Sequence, residues 1–357
     1  MTNTRLPLAN GLAVFRRDFQ KRDGRMLYLY GYKEHDLPVL SEMEDNVAKG
    51  GELRWHPLRQ EWNVYAAHRQ NRTFKPSAAD DPLAPTQVGG AATEIPFEDF
   101  ELAVFENKFT SLHFEAPFME DLPGAKRAQA LGHCDVIVYT PEADGSLYTV
   151  GQNKRRLLVS AWIDRYQELR EKGLTFILPF ESRGEAVGVT LHHPHGQIYA
   201  FDHIPPAQIK MADAFANGFD LSENMAEFGD EYTVSEADGF KVVCPPYARF
   251  PYEAWIVPTT RKAGPWEFSD TEQESFAFLL GDMTRRYDAL FDEPMPCMMS
   301  LQAAPKGHEE TWHFTTQFYP LHRSKSRVKF LASVEQSTGT FTVDVMPEQA
   351  AKLLRDL

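Results

Sequence analysis

The order of elements expected from this 357-residue chain makes it an α+β protein built from two similar halves. Three observations carry that reading. Strand and helix patterns mix without strict βα alternation, which disfavours a doubly wound parallel sheet. Two long amphipathic stretches, 154–172 and 269–291, are each followed by β-rich segments. The pattern His-x-x-x-Gln-apolar-Tyr occurs twice, at 193–199 and at 313–319.

Each element has its own warrant. Trp62–Ala66 alternates like a strand, and Phe100–Phe105 resumes that pattern. The span 75–97, with four prolines and the pair Gly89-Gly90, reads as a long loop. Cys134–Thr140 is a β-branched run typical of a buried strand. In 154–172, Leu157, Leu158, Ala161, Trp162, Tyr166 and Leu169 fall at helical spacing, with Gly173 as the stop. Leu174–Phe180 is a strand, and a histidine-rich strand follows at Leu191–Ala200. In the second half, 240–244 and 254–257 read as strands. Ser269 and Glu272 form a capping box at the start of 269–291. Further strands are expected at 312–319, 328–333 and 340–343, then a short helix with Pro347 near its start. The domains expected are an N-terminal extension over 1–50, a catalytic half over 51–210, and a second half over 211–357.

Composition narrows the function. Fifty-one acidic against 37 basic side chains give a net charge of −14, which argues against nucleic acid or an anionic membrane as partner. No apolar run is long enough for a transmembrane helix, and the N-terminus reads as lacking a signal peptide. The three cysteines, Cys134, Cys244 and Cys297, form no CxxC, so a Cys-rich metal site and a disulfide framework are unexpected. That scarcity points to a reducing, cytoplasmic setting.

The sharpest motif is His192-His193-Pro194-His195-Gly196-Gln197. Residues i and i+2 of a strand share a face, so His193, His195 and Gln197 are expected to point together. A neutral imidazole attacks phosphorus well and forms a covalent intermediate. A glutamine two residues on donates to phosphoryl oxygens but cannot protonate a leaving group. Gly196 lets the backbone approach a phosphate.

In this motif the chain resembles the galactose-1-phosphate uridylyltransferase family, a branch of the histidine-triad superfamily. Further matches are Trp55–Leu58 with His68–Arg72, Phe105–Phe109, Phe180–Gly188, Pro251–Glu253, Trp312 with Phe318–Pro320, and Lys329-Phe330 with Glu335. The resemblance runs from about residue 53 to 355. It implies duplicated histidine-triad-like domains, each an antiparallel sheet with flanking helices, the second lacking the nucleophile. It implies a ping-pong reaction in which His195 takes UMP from UDP-glucose and passes it to galactose-1-phosphate, with Gln197 holding the phosphoryl oxygens and His193 beside them. Arg69 and Arg72 would contact phosphate or ribose, Asn107 the uridine, and Thr190 the phosphates. Ser182 stands where the family usually has Asn. Lys329, Phe330 and Glu335 would meet the sugar phosphate across a homodimer.

The metal positions depart from the family. Asp81 and Ala84 replace two cysteines, Ala143 replaces a histidine, and His193 is left without partners. Thr315, Gln317 and Gln302 stand at positions of a second metal. No zinc or iron is expected. The alternatives are a phosphorylase or transferase for another nucleotide or sugar-1-phosphate, and a non-catalytic nucleotide-sugar binder. A hydrolase is disfavoured, since it would want His at position 197.

Overall fold

The computed structural model describes residues 3–6, 13–43, 47–71 and 80–357. Two compact units emerge from the chain. The first comprises Met1–Asp144, Ser160–Pro179 and His193–Met211; the second comprises Gly145–Val159, Phe180–His192 and Ala212–Leu357.

The first unit is built on strands β1 (Asn3–Leu6), β2 (Val14–Gln20), β3 (Met26–Gly31), β6 (Leu102–Glu106), β8 (Gly132–Val138) and β10 (His195–Phe201), in that spatial order. Every neighbouring pair is antiparallel. The start of β9 (Phe176–Arg183) lies beyond β10, where Thr175 N–H donates to Phe201 O. A small sheet of β5 (Glu61–Tyr65), β4 (Glu52–His56) and β7 (Arg127–Gln129) completes the strands. Leu27–Tyr30, Leu102–Phe105, Ile137, Val138 and Ile198 fill the core. Helix α1 (Gly151–Glu171) contributes Ala161, Trp162, Tyr166 and Leu169 to it. The helix ends as expected at Gly173, whose φ of 93° is costly for other residues.

The second unit repeats the plan. The end of β9, β14 (Cys297–Gln302), β15 (Thr315–Pro320), β13 (Ala254–Pro258), β12 (Phe240–Val243) and β11 (Thr233–Ala237) lie side by side. All of these pairs are antiparallel. Helix α4 (Asp270–Phe291) starts at the expected capping box: the Ser269 side chain accepts from Glu272 N–H, and the Glu272 carboxylate accepts from Ser269 N–H at 2.7 Å. Phe240, Phe268, Phe276 and Phe314 form an edge-and-face cluster under this helix. Gly281 in α4 leaves room for the Arg155 guanidinium: a Cβ there would lie 2.4 Å from Arg155 Cζ, so the arginine would have to shift. The smaller helices are α2 (Pro206–Ala216), α3 (Leu221–Glu227), α5 (Ser333–Thr338) and α6 (Pro347–Arg355), with a hairpin of β16 (His322–Ser324) and β17 (Arg327–Val328).

The duplication is therefore topological. β8–α1–β9–β10 and β13–α4–β14–β15 are both strand–helix–strand–strand units, and in each the last strand lies between the other two.

Three expectations change. Residues 1–50 are not an extension, because β2 and β3 belong to the first unit's sheet and Leu27, Leu29 and Tyr30 are fully buried. The strands expected at 328–333 and 340–343 are absent. The chain leaves β17 at Val328 and forms α5, where the Glu335 carboxylate accepts from Ala332 N–H and Gly339, at φ 73°, closes the helix. Helices α2 and α3 were not expected. Asp220 starts α3 by accepting from Ser222 and Glu223 N–H.

Candidate active site

Strand β10 carries the candidate catalytic residues His195 and Gln197. Its regular pairing begins at His195, opposite Val138, and places Gln197 opposite Val136. Burial alternates along it, with Ile198 and Ala200 in the core and His195 and Gln197 half-buried on the other face. His193 precedes the strand, so the period-two argument holds for His195 and Gln197 but not for His193, which turns into the protein and is buried.

His195 has one ring nitrogen bound and the other open. Its Nδ1 donates to the His193 carbonyl at 2.7 Å. A carbonyl only accepts, so the proton sits on Nδ1 and the lone pair sits on Nε2. Burial lowers the His195 pKa below the ordinary histidine value, and the hydrogen bond to the carbonyl offsets only part of that shift. The imidazole is neutral at pH 7.

Gln197 is oriented by Asn107. The Asn107 Nδ2 donates to Gln197 Oε1 at 3.4 Å, which directs the glutamine amide hydrogens outward. Asn107 is itself fixed by the turn after β6: its Oδ1 accepts from Phe109 N–H at 2.9 Å and its N–H donates to Cys134 O at 2.8 Å. Arg69 lies near this turn, donating from Nη1 to Phe109 O at 2.5 Å. It also approaches the Tyr199 hydroxyl, whose pKa burial pushes up while Arg69 opposes the shift. Arg69, Asn107, His195 and Gln197 thus belong to one network in the first unit.

His193 has partners, against expectation. Its Nδ1 donates to Asp81 Oδ2 at 2.6 Å and its Nε2 donates to Thr140 O at 2.7 Å. Burial opposes the Asp81 charge, but the His193 hydrogen bond and the Leu83 N–H hold its pKa below the ordinary carboxylate value. Asp81 is the contact to the histidine motif that sequence reasoning missed. Its signal was present: an acid occupying a ligand position in Asp81-Pro82-Leu83-Ala84-Pro85.

The other expected residues lie elsewhere. Arg72 falls outside the described residues. Ser182, opposite Met298 on β9, and Thr190, half-buried in the segment after it, belong to the second unit. Lys329 and Glu335 are buried there and pair with each other at 3.1 Å, while Thr342 Oγ1 donates to Glu335 at 2.8 Å. Phe330 beside them is 72% exposed. Gln317 Nε2 donates to Thr315 Oγ1 and Gln302 Nε2 to Ser300 Oγ, both at 2.9 Å.

Comparison with known proteins places this arrangement. The family model described as galactose-1-phosphate uridyl transferase, N-terminal domain, matches residues 41–205, and that of the C-terminal domain matches 194–357. A galactose-1-phosphate uridylyltransferase of Thermotoga maritima is 36% identical over 318 residues, covering 85% of this chain and 98% of that protein. One from Streptomyces lividans is 28% identical over 357 residues, covering 94% and 96%. A solved uridylyltransferase structure aligns with a TM-score of 0.75 at 23% identity, covering 85% of this chain and 97% of that one, and so shares the fold. An ADP-glucose phosphorylase of Arabidopsis thaliana, solved with bound ADP-glucose, aligns with a TM-score of 0.64 at 20% identity, covering 85% and 98%. With both halves matched and a relative above one-third identity along most of its length, the chain belongs to the galactose-1-phosphate uridylyltransferase family.

Proposed function

We propose that this chain is a UDP-glucose–hexose-1-phosphate uridylyltransferase working through a covalent uridylyl-His195 intermediate. The observation that carries the reading is the single hydrogen bond from His195 Nδ1 to the His193 carbonyl, which leaves Nε2 free to attack.

The steps follow from the chain's own atoms. His195 Nε2 attacks the α-phosphorus of UDP-glucose. A P–N bond forms, the P–O bond to glucose-1-phosphate breaks, and the electron pair leaves on the sugar phosphate as a stable anion. No proton donor is needed, which is why an amide suffices at Gln197. Its hydrogens face the phosphoryl oxygens as charge builds there. The uridylylated imidazole carries positive charge, and the Nδ1–H bond to the carbonyl stabilises it. Galactose-1-phosphate then attacks the same phosphorus, the P–N bond breaks, and neutral His195 is restored. Arg69 offers a guanidinium for a phosphate or ribose oxygen.

The working form in this reading is a cytoplasmic homodimer. Three free cysteines, all buried, suit a reducing compartment. Phe330, Leu331 and Val334 form an exposed apolar run beside the Lys329–Glu335 pair, as a segment reaching into a partner's site would.

Intact-mass measurement after mixing with UDP-glucose alone tests the reading. A uridylyl adduct is expected, lost in His195→Ala and discharged by galactose-1-phosphate. An adduct only from ADP-glucose, or discharge only by inorganic phosphate, would establish the phosphorylase alternative. No adduct from any nucleotide sugar overturns both.

A further inference from the structure

We infer that Asp81 is a positioning residue for the nucleophile, and that the Asp81–His193 pair anchors the site where a structural metal does not fit. The kinetic part of this inference rests on the uridylyl-transfer reading; its spectroscopic part does not.

His193 is clamped at three points. Asp81 holds Nδ1, the Thr140 carbonyl holds Nε2, and the main-chain carbonyl of His193 receives the His195 Nδ1–H. Tyr139 N–H donates to Pro194 O at 3.2 Å and pins the next peptide. The plane of the carbonyl that sets the His195 tautomer is therefore fixed by a side chain that cannot rotate without breaking a buried hydrogen bond. The path from Asp81 to the nucleophile contains one residue.

The same contacts leave no room for zinc. Both ring nitrogens of His193 are already engaged, Nδ1 by Asp81 and Nε2 by the Thr140 carbonyl, so neither is directed at an open metal position. A structural zinc site takes four N, S or O ligands. Here Ala84 and Ala143 contribute only methyls, and among the described residues no group of three or more His, Cys, Asp or Glu is placed to hold a metal ion.

The loop bearing Asp81 is fastened independently of it. Leu83 is buried, Thr86 N–H donates to Ile95 O at 3.1 Å, and Glu94 N–H donates to Pro82 O at 3.0 Å. The buried Glu94 carboxylate is gripped by Lys21 and, at 2.9 Å, by Arg25. Removing the Asp81 carboxylate thus releases His193 while the loop keeps its other anchors.

The test compares wild type with Asp81→Ala and Asp81→Asn, and also measures metal content. Ring-nitrogen NMR of histidine-labelled protein should show His195 as a single Nδ1–H tautomer in wild type and as a mixture in Asp81→Ala. Single-turnover uridylylation should fall about 10–100-fold in Asp81→Ala, the range for losing a carboxylate that orients a working imidazole. Its KM for UDP-glucose should stay within about twofold, and Asp81→Asn should recover most of the rate because its Oδ1 still accepts from Nδ1. Asp81→Ser, which keeps an acceptor for Leu83 N–H, gives the same readout if alanine prevents folding. Wild-type tautomer and rate in Asp81→Ala overturn the inference. So does an equivalent of zinc in the wild type whose removal abolishes activity. A tautomer shift in a protein that transfers no uridylyl group would sink the proposed function and leave Asp81 in its role.

Discussion

Strands β10 and β15 occupy the same place in the two units, yet one carries the candidate active site and the other is core. Both are preceded by a buried histidine whose Nε2 donates to a neighbouring carbonyl: His193 to Thr140 and His313 to Pro258. Both carry a Gln four residues on and a Tyr two beyond that. The divergence begins at the middle position. His195 faces outward half-buried with a free Nε2, whereas Thr315 is buried and accepts from Gln317. Gln317 also receives the Tyr319 hydroxyl, so its amide is consumed within the strand. The same backbone plan supports chemistry only where the polar side chains are not spent on each other.

The layers beneath the strands differ as well. Under β8 the helix α1 meets the sheet through charge. Arg165 donates to Asp135 at 3.0 Å, His133 donates to Asp135 at 2.7 Å, and Arg16 bridges Asp164 and Glu168. Under β12 the helix α4 meets the sheet through the Phe240–Phe268–Phe276–Phe314 cluster. The largest effect should come from breaking the charged layer. Asp135→Asn leaves the fully buried Arg165 guanidinium with only Glu168 as its counter-charge, which costs up to about 3–5 kcal/mol. Burial would raise the Asp135 pKa, but Arg165 and then His133 hold it well below the carboxylate range. Its stabilisation is therefore complete above the unfolded value, about 3.9, and is lost as pH falls through the lower folded value. Denaturant titrations between about pH 5 and 2 should show this slope in wild type and a smaller one in Asp135→Asn. Phe276→Ala should cost about 3–5 kcal/mol with no change in that slope. Equal acid slopes in wild type and Asp135→Asn would refute the contrast.

The two glutamines sharpen the comparison at the next level. Gln197→Leu removes a donor aimed at developing phosphoryl charge, so the rate of uridylylation should fall about 10²–10³-fold with little change in stability. Gln317→Leu removes the donor to Thr315 Oγ1 and one acceptor of the Tyr319 hydroxyl, which keeps Ser300 and Arg249 beside it. It should lower stability by about 1–3 kcal/mol and leave the rate within about twofold. Stopped-flow or quench-flow rates paired with melting curves decide it; equal catalytic losses in both variants would mean the second strand also serves the reaction.

These contrasts also explain what could be read in advance. The shared strand face of His195 and Gln197 was legible from their two-residue spacing, whereas Asn107 was expected at the uridine and not as the donor to Gln197. The helices α1 and α4 were legible from apolar periodicity, Gly173 and the capping box. Strand β2 was not, because Arg16, Arg17 and Asp18 look like a solvated run. Arg16 meets Asp164 on a helix 148 residues away, and Arg17 donates to the His35 and Leu37 carbonyls. Asp81 escaped for the same reason: its partner is 112 residues distant. The strand expected at 328–333 failed differently. The run from Val328 suggested β structure, but Glu335 spends its carboxylate on Lys329, Thr342 and Ala332 N–H and starts a helical turn.

The smallest predicted effect tests how the two long helices are started. α4 opens with a complete capping box, while α1 has no acid in its first turn. Near its start α1 instead has Arg155, which donates to the carbonyls of Leu147 and Tyr148 at 2.8 and 2.9 Å and to Ala277 O at 2.7 Å. Local capping thus serves one helix and a tertiary anchor serves the other. Ser269→Ala removes one acceptor at an exposed helix end and should cost about 1 kcal/mol by thermal unfolding. The effect should be confined to α4, so hydrogen exchange should rise in residues 270–273 and stay unchanged along 151–171. A protection loss spreading into α1 would show that the two helices unfold together and that the capping box serves both.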